Sequence, residues 1–307
     1  MKGHEASLAT VAEGVHAWVQ PDGSWWVNNT GVIETGDGVI LVDTCATEAR
    51  TRSLLAAVDS LSRGRPVVVA INTHAHGDHT YGNSMLPKET VIIGHEDTRT
   101  AMCLDTLLEH CPPIWSPMPD WGRLTHRPPV LTIRDTLTLH HGGVRVEAHH
   151  PGYPAHTTGD LVVWLPDQRV LFTGDLLFNE VTPLALSGVL DGALRALDWI
   201  AHFDPARVVP GHGPVIDAAD LPGVLDTHRR YYTLVRDAAN RGHADGLPPL
   251  AVARRTPLGE FAGLPDAERI VLNLHRAYAD RSGREIDIEQ VWGDVIALNG
   301  GPMATHV

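Results

Sequence analysis

"THAHGDHTYG", residues 73–82, is the stretch whose reading decides the fold. Three histidines and an aspartate (His74, His76, Asp78 and His79) are crowded together there, separated only by the small residues Ala75 and Gly77. Imidazole and carboxylate are the side chains that suit zinc and similar first-row metals. The segment that leads in, "PVVVAINT" at 66–73, is a continuous apolar run suited to a strand buried on both faces. The motif therefore sits in a tight loop at the carboxyl end of an inner strand. From such a loop His74 and His76 converge on one ion, while Asp78 and His79 turn toward a neighbouring second one.

Working outward, the first third reads as strands and then a helix. "VHAWVQ" and "SWWVNNTGVIET" are apolar segments on either side of the turn signal "PDG", and "VILVDT" is a further strand. Leu54, Leu55, Val58 and Leu61 fall at helical spacing within 46–62. Beyond the motif, "TVIIG" predicts a strand and 96–110 a helix, followed by the aperiodic "CPPIWSPMPDWGRLTHRPP". "LTIRDTLTLHHGGVRVEAHH" and "DLVVWLPDQRVLFTGD" predict hairpins around "GG" and "PDQ"; a helix over 191–203 and a short strand in "ARVVPGHGPV" complete this part. Two successive β-rich halves, each with helices, predict an α/β sandwich covered by helices on both outer faces. From about residue 217 the pattern turns helical, in "LDTHRRYYTLVRDAAN", "DAERIVLNLHRAYADRSG" and "DIEQVWGDVIALNG". The expected organisation is a catalytic domain over 1–216 and a helical C-terminal extension over 217–307, packed on or near the site.

Composition narrows the partners. The 307 residues are 43% hydrophobic and 20% charged, long enough for a substantial core, and carry a formal net charge of −13. That charge repels a phosphate backbone and disfavours nucleic acid. "MKGHEASLATVAEG" has no apolar run behind its lysine, so no signal peptide is expected, and no window approaches a membrane span. Cys45, Cys103 and Cys111 are odd in number and irregularly spaced, which fits a reducing compartment; a cytoplasmic protein without a membrane partner is expected. No oligomeric state follows from these patterns.

Three further blocks follow the motif in order: "AHTTGD" with His156, "VLFTGD" with Asp175, and "VVPGHGP" with His212. With them the chain resembles the metallo-β-lactamase superfamily, whose hallmark is H-x-H-x-D-H, over residues 10 to about 216. The resemblance implies an αββα sandwich of two mixed β-sheets flanked by helices. It also implies a two-metal site, with His74, His76 and His156 on one ion, Asp78, His79 and His212 on the other, and Asp175 bridging. Asp78 and Asp175 then hold the bridging water or hydroxide that does the chemistry. Paired ions about 3.5–4 Å apart bring such a water near neutrality in pKa and polarise a carbonyl or phosphoryl oxygen. Zinc is the expected metal, two ions per chain, with iron or manganese also compatible with nitrogen and oxygen ligation. Asp43 in "LVDT" matches an acidic residue that orients a ligand histidine, and is equally placed to cap a helix starting near residue 46.

Within the superfamily, β-lactamases commonly carry Cys or Ser where this chain has Asp175, and flavodiiron oxidoreductases carry Glu where it has His76. The RNA-processing branch is disfavoured by the net charge of −13. "VQPDGSWWVNNTGVI", "TRSLLAAV", "LLFNEVTPLALSGVL" and "NLHRAYAD" are similar to a branch that includes cyclase/thioesterases of aromatic polyketide biosynthesis. That likeness implies aldol ring closure, thioester cleavage or both on an aromatic polyketide held by an acyl carrier protein. The alternative is a generic thioester, ester or lactone hydrolase, similar to glyoxalase II, acting on a small molecule. Arg229, Arg230, Arg236 and Arg241 are either a strip for an acidic carrier or the solvated face of a helix.

Several residues are candidates to touch substrate or support a ligand. Strand alternation is expected to send Trp25 and Trp26 to opposite faces, one into the sandwich and one to a substrate groove. Trp115 and Trp121 stand in the long aperiodic segment, either as part of a lid or as packing of a connection. Tyr81 follows the ligand loop, placed to donate to an oxyanion or to pack. His149 and His150 end the strand "VRVEAHH", and one of the two is expected to face the metals.

Overall fold

The computed structural model describes residues 5–307; the opening of the N-terminal stretch read above, residues 1–4, lies outside the described residues. The chain begins with β1 (Ser7–Ala12), β2 (Val15–Val19), β3 (Thr30–Glu34), β4 (Val39–Val42), α1 (Glu48–Ser62) and β5 (Val67–Ile71). The short α2 (Gly77–Thr80), β6 (Val91–His95), α3 (Glu96–Leu104), β7 (Trp115–Ser116) and β8 (Leu131–Ile133) follow. One sheet orders these strands β1-β2-β3-β4-β5-β6-β8, antiparallel through β4 and parallel from β4 onward. The second half contributes β9 (Thr136–His141), β10 (Val144–His149), β11 (Val162–Leu165), β12 (Val170–Phe178), α4 (Leu190–Ala201), β13 (Arg207–His212) and β14 (Ile216–Asp217). Its sheet runs β14-β13-β12-β11-β10-β9, with β12 and β13 parallel.

Period-two alternation explains the layers. Along β3 and β4, Ile33, Ile40 and Val42 point between the sheets and meet Phe172 and Val209 of the second sheet. Their neighbours Val32 and Leu41 point outward, where Leu54 and Val58 of α1 cover them. On the other side Ala196, Leu197 and Ile200 of α4 cover Val162, Leu171 and Val208. Helix, sheet, sheet, helix is therefore the arrangement that lets both faces of each sheet leave water.

The chain after residue 216 forms α5 (Leu221–Ala244), α6 (Pro249–Arg255), α7 (Arg269–Ser282), α8 (Ile288–Asn299) and the short β15 (Met303–Ala304). These helices bury Tyr231, Val235, Leu272, Leu274 and Val291 in a core shared with Trp25, Trp26, Tyr81 and Trp115. β15 pairs in parallel with β7, and the Thr305 hydroxyl donates to Pro117 O at 2.7 Å. The aperiodic segment around Trp115 is thereby tied to the C-terminal residues and forms a wall.

The expected strand over 24–35 is shorter than its apolar content predicts. The chain leaves β2 at Val19, turns, and re-enters the sheet only at Thr30, with Trp26 in the left-handed region at φ 68°. Alternation therefore does not operate at Trp25 and Trp26, and both indoles lie in one cluster, correcting the expectation of opposite faces. The helix expected over 96–110 stops at Leu104, and β1 was not anticipated. Among the described residues no helix is long and apolar enough to cross a membrane.

Candidate metal centre

The carboxyl ends of β4, β5, β12 and β13 meet at one end of the sandwich. β5 ends at Ile71 and releases His74 and His76; α2 carries Asp78 and His79; β13 ends on His212. Asp175 lies within β12, where the pairing with β13 shifts register between Gly174 and Phe178. A Cβ at Gly211 would stand 1.9 Å from Asp175 Oδ1, so glycine there leaves room for the carboxylate. His156 comes from the loop between β10 and β11.

Two clusters result. His74, His76, His156 and Asp175 place their candidate ligand atoms within 4.8 Å of one another, and so do Asp78, His79 and His212. Asp175 connects them: one oxygen lies 3.4 Å from both His156 Nε2 and His212 Nε2, the other 3.1 Å from His79 Nε2. The seven residues singled out in the sequence are thus brought together around one carboxylate.

The outward nitrogens are fixed. His79 Nδ1 donates to Asp43 Oδ2 at 2.8 Å, His156 Nδ1 to Leu184 O at 2.7 Å, and His212 Nδ1 to the carbonyls of Gly23 and Val27 at 2.9 Å. The Thr73 hydroxyl donates to Asp43 at 2.6 Å and meets His74 Nδ1 at 3.0 Å. Each of these contacts leaves Nε2 bare and facing inward, the tautomer a metal ligand needs. His76 is reversed: its Nδ1 faces the Nε2 atoms of His74 and His156 at 3.1 and 3.0 Å, and its Nε2 meets Ser187 Oγ at 3.1 Å. Asp43 therefore buttresses His79, while the cap of α1 is Thr47, whose side chain accepts from Arg50 N.

Electrostatics fits cation binding. Burial pulls His156 down to about 3 and holds His74 well below the ordinary imidazole range. Burial acts the same way on His212 and His79. There, however, Asp175 and Asp78 outweigh it, raising His212 to about 9 and His79 well above its usual value. Against burial, His79 and His212 hold Asp78 down at about 2, and Asp175 lies well below the carboxylate range. The carboxylates thus demand positive charge beside them, which protons on two imidazoles or divalent ions can supply. Asp175 Oδ1 and His79 Nε2 are buried without a hydrogen bond of good geometry, and inward donors of this kind fit a metal pair.

Above the clusters lies a cavity of about 750 Å³. Trp25, Trp26, Tyr81, Trp115, Phe178 and Trp292 wall it, and His76, Asp78, Asp175 and His212 lie in its floor. Trp26 packs edge-on to Trp115 at 5.0 Å and to Trp121 at 4.8 Å, so Trp121 supports the wall from behind. Trp25 is held by its indole N–H, which donates to Glu268 at 2.8 Å, and by the Arg269 guanidinium 4.4 Å from its ring. Arg269 itself is buried on Asp266 and Thr182 O.

Other expectations are corrected here. Neither His149 nor His150 lines the cavity: the register of β10 against β9 and β11 turns them to other partners. His149 pairs with Glu147 at 2.9 Å and packs on Phe203; His150 Nδ1 meets Asp160 O at 2.8 Å and its ring stacks on His95. The Tyr81 ring faces the cavity, but its hydroxyl is committed to Asp105 at 2.7 Å, so it is not free for an oxyanion. Of the arginine strip, Arg229 pairs with Asp198, and Arg230 with Asp226 and Glu260, on the solvated face of α5. Sequence reasoning missed Ser187, Leu272, Ile288, Glu289 and Trp292, which reach the cavity from a loop and from α7 and α8. Nothing local in the sequence marks them, since their roles arise from the docking of distant segments.

Residues 23–212 match the family described as Metallo-beta-lactamase superfamily. The chain is 28% identical over 207 residues to "Metallo-beta-lactamase type 2" of Bacillus cereus, covering 65% of this chain and 72% of that one. It is 28% identical over 218 residues to "2,4-dinitroanisole O-demethylase subunit alpha" of Nocardioides sp. (strain JS1661), covering 68% and 58%. Among solved structures it resembles a metallo-beta-lactamase from Pontibacter korlensis, with a TM-score of 0.61 and 20% identity over 75% of this chain and 99% of that one.

Proposed function

The chain belongs to the metallo-beta-lactamase superfamily, and from that membership we propose a two-metal hydrolase-type enzyme for a large aromatic acyl substrate. We take that substrate to be an aromatic polyketide joined as a thioester to an acyl carrier protein, undergoing aldol ring closure, thioester cleavage or both. The observation that carries the reading is the cavity of about 750 Å³, which sets six aromatic side chains directly over the His and Asp clusters. A small acyl group would leave most of that wall unfilled, whereas flat rings gain area and edge-to-face contacts from it. A relative whose name specifies a nitroaromatic ether supports an aromatic preference.

His74, His76, His156 and Asp175 would hold one ion and Asp78, His79 and His212 the other, with zinc the metal best suited to these donors. Bound there, the pair supplies an activated water and Lewis acidity toward a carbonyl oxygen. The chain's own residues do the rest. Asp78 and Asp175 are held as carboxylates, so they accept and orient protons rather than donate them. The indoles of Trp25, Trp26 and Trp115 exclude bulk water and fix the plane of the substrate. We treat 217–307 as an extension that completes the catalytic unit of 1–216, because α7 and α8 supply Leu272 and Trp292 to the wall. The three free cysteines support a cytoplasmic setting.

The test is a zinc-replete assay comparing an aryl-substituted β-oxoacyl thioester with acetyl thioester, following free thiol and cyclised product. Thiol release or ring closure on the aryl substrate, at least about tenfold more efficient and lost in Asp175→Ala, is expected. Turnover of the acetyl thioester alone would move the assignment to a glyoxalase II-like hydrolase, and turnover of neither would refute thioester chemistry.

A further inference from the structure

The five clustered histidines are not held alike. His74, His79, His156 and His212 are anchored through buried groups: Thr73 Oγ1 backed by Asp43, Asp43 itself, Leu184 O, and the carbonyls of Gly23 and Val27. His76 points Nδ1 inward and offers Nε2 to a single protein group among the described residues, the Ser187 hydroxyl at 3.1 Å. Ser187 is exposed and belongs to the connection between β12 and α4. It also stands where two cavities meet: it lines both the aromatic cavity and an adjoining one of about 580 Å³ whose wall includes Arg276, Asp280 and Arg284.

We infer that Ser187 is a positioning residue for His76: its oxygen accepts the Nε2 proton, which keeps Nδ1 bare and turned toward His74 and His156. The inference rests on the two-metal reading, and its consequence is specific. An imidazole can carry its single neutral proton on either nitrogen. A buried carboxylate or carbonyl settles the choice for His79, His156 and His212, and for His74 a buried hydroxyl whose own proton is committed to Asp43. For His76 only a serine at the junction of two cavities does so. His76 is therefore the one ligand whose orientation a substrate lying across the Leu186–Ser187 ridge can reach.

Metal affinity reads this without any substrate. Cobalt(II) is titrated into metal-free protein, following its ligand-field absorbance, with wild type, Ser187→Ala and Ser187→Thr compared after melting curves establish that each folds. Ser187→Ala is expected to weaken binding at the three-histidine cluster about tenfold, to alter the cobalt spectrum of that site, and to leave the Asp78–His79–His212 site unchanged. Ser187→Thr keeps the hydroxyl and restores affinity to within about twofold. Equal weakening in both variants would mean that the loop matters only through packing, and unchanged affinity in Ser187→Ala would mean that water replaces the hydroxyl; either overturns the inference. Absence of thioester turnover in the wild type, with cobalt binding weakened in Ser187→Ala and restored in Ser187→Thr, would instead count against the proposed substrate alone.

Discussion

Replacing Asp43 by Asn changes one atom and should have a large effect. Asp43 is 2% exposed and accepts from three donors: Thr73 N at 2.7 Å, the Thr73 hydroxyl at 2.6 Å and His79 Nδ1 at 2.8 Å. Only a carboxylate can accept on both oxygens, and an amide must turn its NH₂ toward at least one of those donors. The less costly orientation gives up the Thr73 N–H bond and keeps the carbonyl on the other two, now without charge assistance. An orphaned buried donor costs about 1–3 kcal/mol, so a loss of about 3 kcal/mol is expected for Asp43→Asn in urea denaturation of metal-free protein at pH 7. Backbone strain does not confound this variant. Asp43 has φ 64°, a region Asn tolerates, whereas Asp43→Ala should lose about 1–2 kcal/mol more. Cobalt titration should show the Asp78–His79–His212 site weakened about 10- to 100-fold because His79 loses its anchor. Stability within about 0.5 kcal/mol of wild type together with unchanged affinity would refute the claim that this carboxylate holds the ligand loop.

Three other perturbations follow from the packing. His228 is buried and neutral, accepting from Phe178 N at 3.0 Å, and burial pulls it down to about 4. Its unfolded value is about 6.5, so its stabilising contribution is complete above that pH and lost as pH falls toward 4, about 3 kcal/mol in all. His228→Gln should lose that much less than wild type between pH 7.5 and 4, and parallel losses in denaturation curves would sink the argument. Trp292→Ala at the cavity wall should raise KM about tenfold for the aryl thioester and leave the acetyl thioester unmoved; equal effects on both would deny Trp292 a substrate role. Gly77→Ala would put a Cβ 2.2 Å from the Tyr81 ring, so displacement of Tyr81 should cost about 1–3 kcal/mol and change the near-UV circular dichroism; an unchanged spectrum would contradict the close approach.

The metal-type residues were legible in order along the chain because a loop at a strand end needs particular donors at short spacing, and His74, His76, Asp78 and His79 carry them within one loop. The layers were legible for a related reason. Alternation along β3 and β4, and helical spacing at Leu54 and Val58, are local consequences of backbone geometry. Trp25 and Trp26 were misread because alternation holds only inside a strand, and a left-handed residue ends it. His149 and His150 were misread because only the register with neighbouring strands determines what a strand end faces.

By itself the sequence determined the sandwich and the donors His74, His76, Asp78 and His79, both written in short-range pattern, while His156, Asp175 and His212 followed only from the resemblance to the superfamily. Tertiary structure alone decided that Asp175 stands between two clusters, that His76 turns Nδ1 inward and Nε2 onto Ser187, and that α7 and α8 close the aromatic wall. Those facts depend on contacts between segments as distant as Trp25 and Glu268, and no local period records which distant surfaces will bury one another.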